Sequence, residues 1–169
     1  MPFRAGILTV STKGAAGLRA DTSGEAIRQL LAGIHVTVER YEIIPDQQEQ
    51  IVDRLRRWSD EGLDLIVSTG GTGLTPTDVT PEATLAVIDY QVPGLAEAMR
   101  AEGLKHTAMA MLSRAVAGVR GRTLIINLPG SPRGVRENLQ AVLPVLPHAL
   151  EMLRGEAGEH GPGDRLTAP

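Results

Sequence analysis

The apolar positions of this chain change their period along its length. Residues 5–10 (Ala-Gly-Ile-Leu-Thr-Val) form a short apolar run closed by Ser11, and residues 12–24 are rich in Gly, Ala, Thr and Ser. That pattern predicts a buried strand followed by a loop. From Gly24 the apolar residues fall at Ala26, Ile27, Leu30 and Leu31, a helical spacing, with Gly33 placed to cap the C-terminus. Residues 35–44 alternate through Val36, Val38 and Tyr41 to Ile43 and Ile44 and predict a second strand. Pro45-Asp46 then opens a second helix, with Asp46 as its expected N-cap and Ile51, Val52, Leu55 and Trp58 as its buried stripe.

A third strand, residues 63–68, ends in Thr69-Gly70-Gly71-Thr72-Gly73. Thr80-Pro81 has the form of an N-cap with proline at the first helical position and leads into a helix over 82–88. Pro93-Gly94 punctuates, and Leu95, Ala98, Met99 and Glu102 continue a helix to about residue 105. Residues 123–128 are the most strand-like run of the C-terminal half and end in Pro129-Gly130-Ser131-Pro132, again a loop, an N-cap and a proline start. The last helical stretch is two pieces, the second beginning at Pro144, because Pro144 and Pro147 within one helix would cost about 3 kcal/mol each. Residues 1–155 are expected to form a single α/β domain and residues 156–169, with almost nothing to bury, a flexible C-terminal tail. Strands alternating with helices of about ten residues predict a mostly parallel sheet covered on both faces.

Composition narrows the function. Gly 19 and Pro 11 point to tight turns and close backbone approaches, and the only rings are Phe3, Tyr41, Trp58 and Tyr90, so the core is aliphatic. A net charge of −3 with no basic half argues against nucleic acid as a partner. Cys 0 excludes disulfides, thiolate metal sites and a cysteine nucleophile. Met1-Pro2-Phe3-Arg4 leads directly into a strand-like run, and no segment reaches the roughly 18 apolar residues of a spanning helix, so no membrane is expected and the cytoplasm is the simplest location.

Candidate chemistry gathers at strand ends, where parallel sheets bind ligands. In Ser68-Thr69-Gly70-Gly71-Thr72-Gly73, glycines after a strand let the backbone approach an anion and aim N–H groups at it; a tight turn that binds nothing is the alternative. Asp78 follows beside a helix start, and a carboxylate next to a phosphate cradle needs a cation between them, which points to Mg²⁺. Asp46 lies on the same expected rim; capping is its plainer role, as a turn is for Asp78. Two carboxylates converging on one glycine loop suit magnesium-assisted phosphoryl or nucleotidyl transfer. Residues 127–132 offer a second polar site or simply a well-capped helix. His35, His106, His148 and His160 have no metal-ligand spacing, and no Walker, dinucleotide or Gly-x-Ser-x-Gly motif is present. Arg54, Arg56 and Arg57 read as a solvated or subunit-contact helix face.

Assembled, these motifs resemble the MogA/MoaB family of molybdenum cofactor biosynthesis, which includes the gephyrin G domain. The resemblance is carried by residues 7–11, Asp21-Thr22-Ser23-Gly24, Ile44-Pro45-Asp46, residues 69–73, residues 78–84, Met111-Leu112-Ser113-Arg114 and residues 118–131. It implies a three-layer α/β/α sandwich, a homotrimer, possible contact with the molybdenum insertion protein, and Mg²⁺-dependent adenylylation of molybdopterin by ATP with release of pyrophosphate. By the same resemblance Asp46 and Asp78 are the catalytic and magnesium-holding acids. Ser11, Thr69, Gly70, Gly71, Thr72 and Gly73 line the substrate site, with the glycine loop at the phosphates. Ser113 is on the pterin side, and Asn127, Pro129, Gly130 and Ser131 form the second loop. The terminal phosphate of molybdopterin would attack the α-phosphate of ATP, so no protein nucleophile is needed. The alternative is a non-catalytic MoaB-type protein that binds molybdopterin or a nucleotide.

Overall fold

The computed structural model describes residues 1–156. Six strands, β1 (Phe3–Val10), β2 (Val36–Ile44), β3 (Leu65–Thr69), β4 (Tyr90–Gln91), β5 (Ala117–Arg120) and β6 (Thr123–Leu128), form one sheet in the order β2-β1-β3-β6-β5-β4. The β1–β2, β1–β3 and β3–β6 pairs are parallel, whereas β5–β6 and β4–β5 are antiparallel. The parallel half follows the sequence pattern. The antiparallel edge does not, because β4 has 2 residues and β5 is the short, small-residue run Ala-Gly-Val-Arg, turned back into β6 through Gly121 at φ 59°.

Helices α1 (Thr12–Ala15), α2 (Thr22–Leu31), α3 (Gln48–Asp60), α4 (Thr80–Val87), α5 (Pro93–Leu104), α6 (Pro132–Val142) and α7 (Leu146–Arg154) cover the sheet. Strand side chains alternate between two cores. Ala5, Ile7, Leu65, Val67, Leu124 and Ile126 pack with α2, α5, α6 and α7, while Leu8, Val10, Ile66 and Ile125 pack with α3 and α4. This is a three-layer α/β/α sandwich with an aliphatic core; Phe3 and Trp58 are its only buried aromatic side chains among the described residues.

Helix starts differ from the expected ones where a side chain caps the first turn. The stretch expected to be a loop contains α1, capped by Ser11 Oγ accepting from Gly14 N–H at 3.0 Å. Helix α2 begins at Thr22 rather than Gly24, because Asp21 Oδ1 accepts from Gly24 N–H at 2.9 Å. It ends at Leu31 with right-handed Ala32 as its cap, so Gly33 has no capping role. The break expected at Pro144 is a 3-10 turn, Leu143–Val145, and α7 follows with Pro147 in its first turn. Apart from Glu156, the expected tail lies outside the described residues.

Candidate active site

The C-terminal ends of β1, β2, β3 and β6 lie on one rim, and the loop after β3 is its centre. Gly70 and Gly71 have φ of 96° and 67°, the left-handed region that glycine tolerates. A Cβ on Gly70 would stand 2.2 Å from the Val10 carbonyl oxygen, and one on Gly71 would stand 2.4 Å from Thr80 Oγ1. The crowding reflects the bonds that hold the loop. Gly70 N–H donates to the Leu128 carbonyl at 3.1 Å, and Thr80 donates to Gly71 through its N–H at 3.1 Å and to Gly70 through its hydroxyl at 2.9 Å. Thr80 is therefore not the N-cap of α4; Val79 occupies that position, and the Thr80 hydroxyl ties the helix to the loop. The N–H groups of Gly71, Thr72 and Gly73 have no acceptor among the described residues, so three successive donors remain available in a loop that lines a cavity.

Asp46 and Asp78 stand on either side of this loop. Asp46 does not cap α3, whose N-cap is Gln47 without a side-chain bond. Its Oδ2 accepts from the N–H and hydroxyl of Thr12 at 3.0 and 2.9 Å, and its Oδ1 lies 3.4 Å from the position a Cβ on Gly71 would take. Asp78 Oδ2 accepts from the N–H and hydroxyl of Thr75 at 3.1 and 2.8 Å and lies 2.8 Å from the Cβ position of Gly73. Each carboxylate thus uses one oxygen locally, and neither Oδ1 has a protein hydrogen bond among the described residues. No group of three or more His, Asp or Glu side chains that could enclose a metal exists among those residues. Two carboxylates with an uncommitted oxygen each fit Mg²⁺, which is usually held by one or two carboxylates together with substrate phosphates and water.

The second loop is joined to the first. Thr69 Oγ1 donates to the Pro129 carbonyl at 2.6 Å, and Ser23 Oγ donates to the Gly130 carbonyl at 2.7 Å. Ser131 caps α6 as its sequence context indicates, accepting from Gly134 N–H at 3.0 Å. Asn127 departs from expectation. It is fully buried, donates to Ser68 Oγ and Thr84 Oγ1 at 3.0 Å each and accepts from Val116 N–H at 3.1 Å. With its polar atoms engaged beneath the rim, it braces β3, β6 and α4 and lines neither cavity.

Two cavities open on the rim. The larger, about 990 Å³, is lined by Gly71, Thr72, Gly73, Asp78, Ser113 and Pro129 together with the facing ends of α5 and α6. The smaller, about 530 Å³, is lined by Ser11, Asp46, Thr69 and Gly70 and by the start of α2. Gly71, Asp78, Gly130 and Ser131 belong to both, so the lobes meet at the glycine loop and one of the two carboxylates.

Three contributors were not singled out from the sequence. Arg114 is the clamp of the loop: its N–H donates to Thr72 O at 2.9 Å, Nε to Gly73 O at 2.8 Å and Nη2 to Asp78 O at 2.9 Å, and it pairs with Glu82. The Arg114 hydrogen bond holds the Glu82 carboxyl below its usual range. Its signal was its place in the Leu-Ser-Arg motif beside Ser113. Asp21 lines the smaller lobe and receives the hydroxyls of Thr9, at 2.7 Å, and of Tyr41. Burial first, and then the Asp21 carboxylate, pushes the Tyr41 phenol up, so it remains a donor. Thr12, which orients Asp46, had no sequence signal.

Residues 6–148 match the family model described as a probable molybdopterin binding domain. The chain is 41% identical over 153 residues to a molybdopterin adenylyltransferase of Helicobacter pylori, covering 89% of this chain and 87% of that protein. It is 34% identical over 175 residues to the molybdopterin adenylyltransferase of Escherichia coli, covering 95% and 90%. Among solved structures, the molybdopterin biosynthesis enzyme MoaB of Thermus thermophilus superposes with a TM-score of 0.86 at 62% identity, covering 90% of this chain and 97% of that one.

Proposed function

The chain belongs to the molybdopterin-binding domain family, and from that premise we propose that it is a molybdopterin adenylyltransferase that uses ATP and Mg²⁺ in molybdenum cofactor biosynthesis. The observation that carries this reading is the junction of two lobes at Gly71 and Asp78, with Oδ1 of both Asp46 and Asp78 uncommitted. A transfer between two substrates needs two adjoining sites whose reacting phosphates meet at a charge-neutralising centre. The larger lobe, which holds Ser113, takes the pterin, and the smaller takes ATP.

A terminal phosphate oxygen of molybdopterin forms a bond to the α-phosphorus of ATP while the bond from that phosphorus to the bridging oxygen breaks, and pyrophosphate leaves. The phosphate oxygen is already a nucleophile, so the chain's task is positioning. The N–H groups of Gly71, Thr72 and Gly73 hold phosphate oxygens, Arg114 fixes the shape of that loop, and the α6 start with Ser131 closes the other side. Bound through Asp46 and Asp78, Mg²⁺ would neutralise phosphate charge that the two carboxylates would otherwise repel.

Pyrophosphate release measured with both substrates and Mg²⁺ tests the reading. Release that requires all three supports it; binding of molybdopterin without release under saturating ATP and Mg²⁺ turns the assignment to a non-catalytic binding protein. The homotrimer and the contact with a molybdenum-insertion protein belong to the same proposal. The exposed apolar side chains of Met109 and Met111 support a protein contact near the larger lobe, and light scattering in solution reads the subunit number.

A further inference from the structure

The larger lobe contains a second carboxylate that the transfer chemistry does not use. Glu137 lies on α6, six residues beyond Ser131 and so about 9 Å further along the helix axis at 1.5 Å per residue. Its side chain is 15% exposed, whereas neighbouring Arg133 is 79% exposed. Arg133 Nε approaches its Oε1 at 2.8 Å, and His106 Nδ1, from the segment after α5, approaches the same oxygen at 3.6 Å. Oε2 has no partner among the described residues. The other lining groups leave Glu137 alone in its role. Asp78 stands at the phosphate junction, and the Arg100 guanidinium is turned to the carbonyls of Ala115 and Ser113 at 2.9 and 3.4 Å. Away from that junction, Glu137 is the one acceptor-only side chain lining the lobe.

From this arrangement we infer that Glu137 reads the pterin ring through the two adjacent donors of its 2-amino-4-oxo edge, and that it makes the larger lobe specific for pterin over adenine. The inference rests on the adenylyl-transfer reading only for the identity of the substrate. The 2-amino group and N3–H of a pterin form a guanidine-like pair of parallel donors, which a carboxylate accepts with both oxygens. Adenine presents an amino donor beside the N1 lone pair, so the same carboxylate would meet one donor and one repelling acceptor. A site built to pair a ring edge rejects the analogue that leaves its buried polar group unmatched. Arg133 and His106 approach Oε1 from one side, so the second lone pair of Oε1 and the whole of Oε2 are left to the ring's two donors. With Glu137 set back from Ser131 along α6, the ring lies deep in the lobe and its phosphate-bearing end reaches the glycine loop.

The test uses pterin itself and lumazine, in which the 2-amino donor is replaced by a carbonyl acceptor, each titrated into the full-length protein by calorimetry without ATP. The expected result is at least about 10-fold tighter binding of pterin than of lumazine by the wild type, with the difference falling to within about twofold in Glu137→Gln. Glu137→Asp, which keeps the charge on a shorter arm, should retain part of it. In turnover, Glu137→Gln should raise KM for molybdopterin by about 10- to 100-fold with KM for ATP within about twofold. Equal binding of the two rings by the wild type, a preference that survives Glu137→Gln, or a rise confined to KM for ATP would overturn the inference. The wild-type comparison needs no variant to fold. The binding arm involves no turnover, so discrimination without pyrophosphate release sinks the transfer reading alone, and release with an unaltered KM in Glu137→Gln sinks this inference alone.

Discussion

The Asp46 carboxylate and Thr12 bond each other reciprocally: Oδ2 of Asp46 accepts from the N–H and hydroxyl of Thr12, and the same hydroxyl accepts from the N–H of Asp46 at 3.1 Å. The pair closes the rim between β1 and β2 and fixes which carboxylate oxygen faces the glycine loop. Asp46→Asn and Asp78→Asn should each lower kcat/KM by about 10²- to 10³-fold with little change in thermal unfolding, since both side chains stand on the rim. Thr12→Val leaves the charge and the backbone N–H bond but removes both hydroxyl bonds, the one to Asp46 Oδ2 and the one from Asp46 N–H. It should raise the Mg²⁺ concentration needed for half-maximal pyrophosphate release by about 10-fold, as loss of an outer-shell partner commonly does. Full activity in both asparagine variants would exclude these carboxylates from the reaction.

Gly71 connects stability to the site. With φ of 67° and Thr80 Oγ1 2.4 Å from the Cβ position, Gly71→Ala must both adopt a left-handed backbone and displace the hydroxyl that anchors α4. The cost is about 1–3 kcal/mol, visible as a fall of several degrees in Tm. Because the displaced loop also carries the phosphate-facing N–H groups, activity should fall further than stability accounts for. Assays run well below the variant's Tm separate the two effects.

The parallel half of the fold was readable because β1, β3 and β6 are compact apolar runs and β2 alternates, and the residues that close them, Ser11, Pro45-Asp46, Gly70 and Pro129, stand on the rim of the site. Asn127 stands next to the Pro-Gly-Ser loop in sequence, which suggests a place in the pocket lining, but it lines neither cavity. Strand alternation puts it on the face of Ile125, toward α4, where it bonds Thr84. Thr12 and Glu137 were hidden for another reason. The parallel register that pairs Val10 with Ile44 brings Thr12 to Asp46, and no local pattern encodes that meeting. Glu137 has an ordinary helical context, and its partner His106 comes from the segment after α5. The antiparallel edge escaped notice because strands of 2 and 4 residues carry too little periodicity.

Arg114 tests whether the loop's shape matters apart from its glycines. Its guanidinium reaches Gly73 O, Asp78 O and Glu82 at once, a fork that an ammonium cannot reproduce. Arg114→Lys should therefore lower kcat/KM by about 10-fold or more, while thermal unfolding changes little for a side chain 36% exposed. A matching loss in Arg114→Lys and Glu82→Gln would place the effect in the ion pair instead of the carbonyl clamp.

At the opposite end of the sheet, Arg154 of α7 holds Asp64 with two bonds, at 2.8 and 2.7 Å, and also reaches the carbonyls of Met1 and Pro2 at 3.1 and 3.0 Å. Burial alone would raise the Asp64 carboxyl, but the Arg154 hydrogen bonds, the Arg4 N–H and the two cationic charges together outweigh it and hold the group below its usual range. A carboxyl whose folded pKa is depressed stabilises the fold fully above its unfolded value, near 3.9, and that contribution is lost as pH falls through the folded value. Arg154→Ala should cost about 1–3 kcal/mol at pH 7, where the Asp64 carboxylate would keep its charge without its partner. It should also flatten the acid limb of the stability curve below about pH 4, because the variant has less of this contribution to lose. Urea unfolding of both proteins between pH 3 and 7 measures the difference. Parallel curves over that range would show that α7 is held by its apolar face alone, through Leu146 and Leu150.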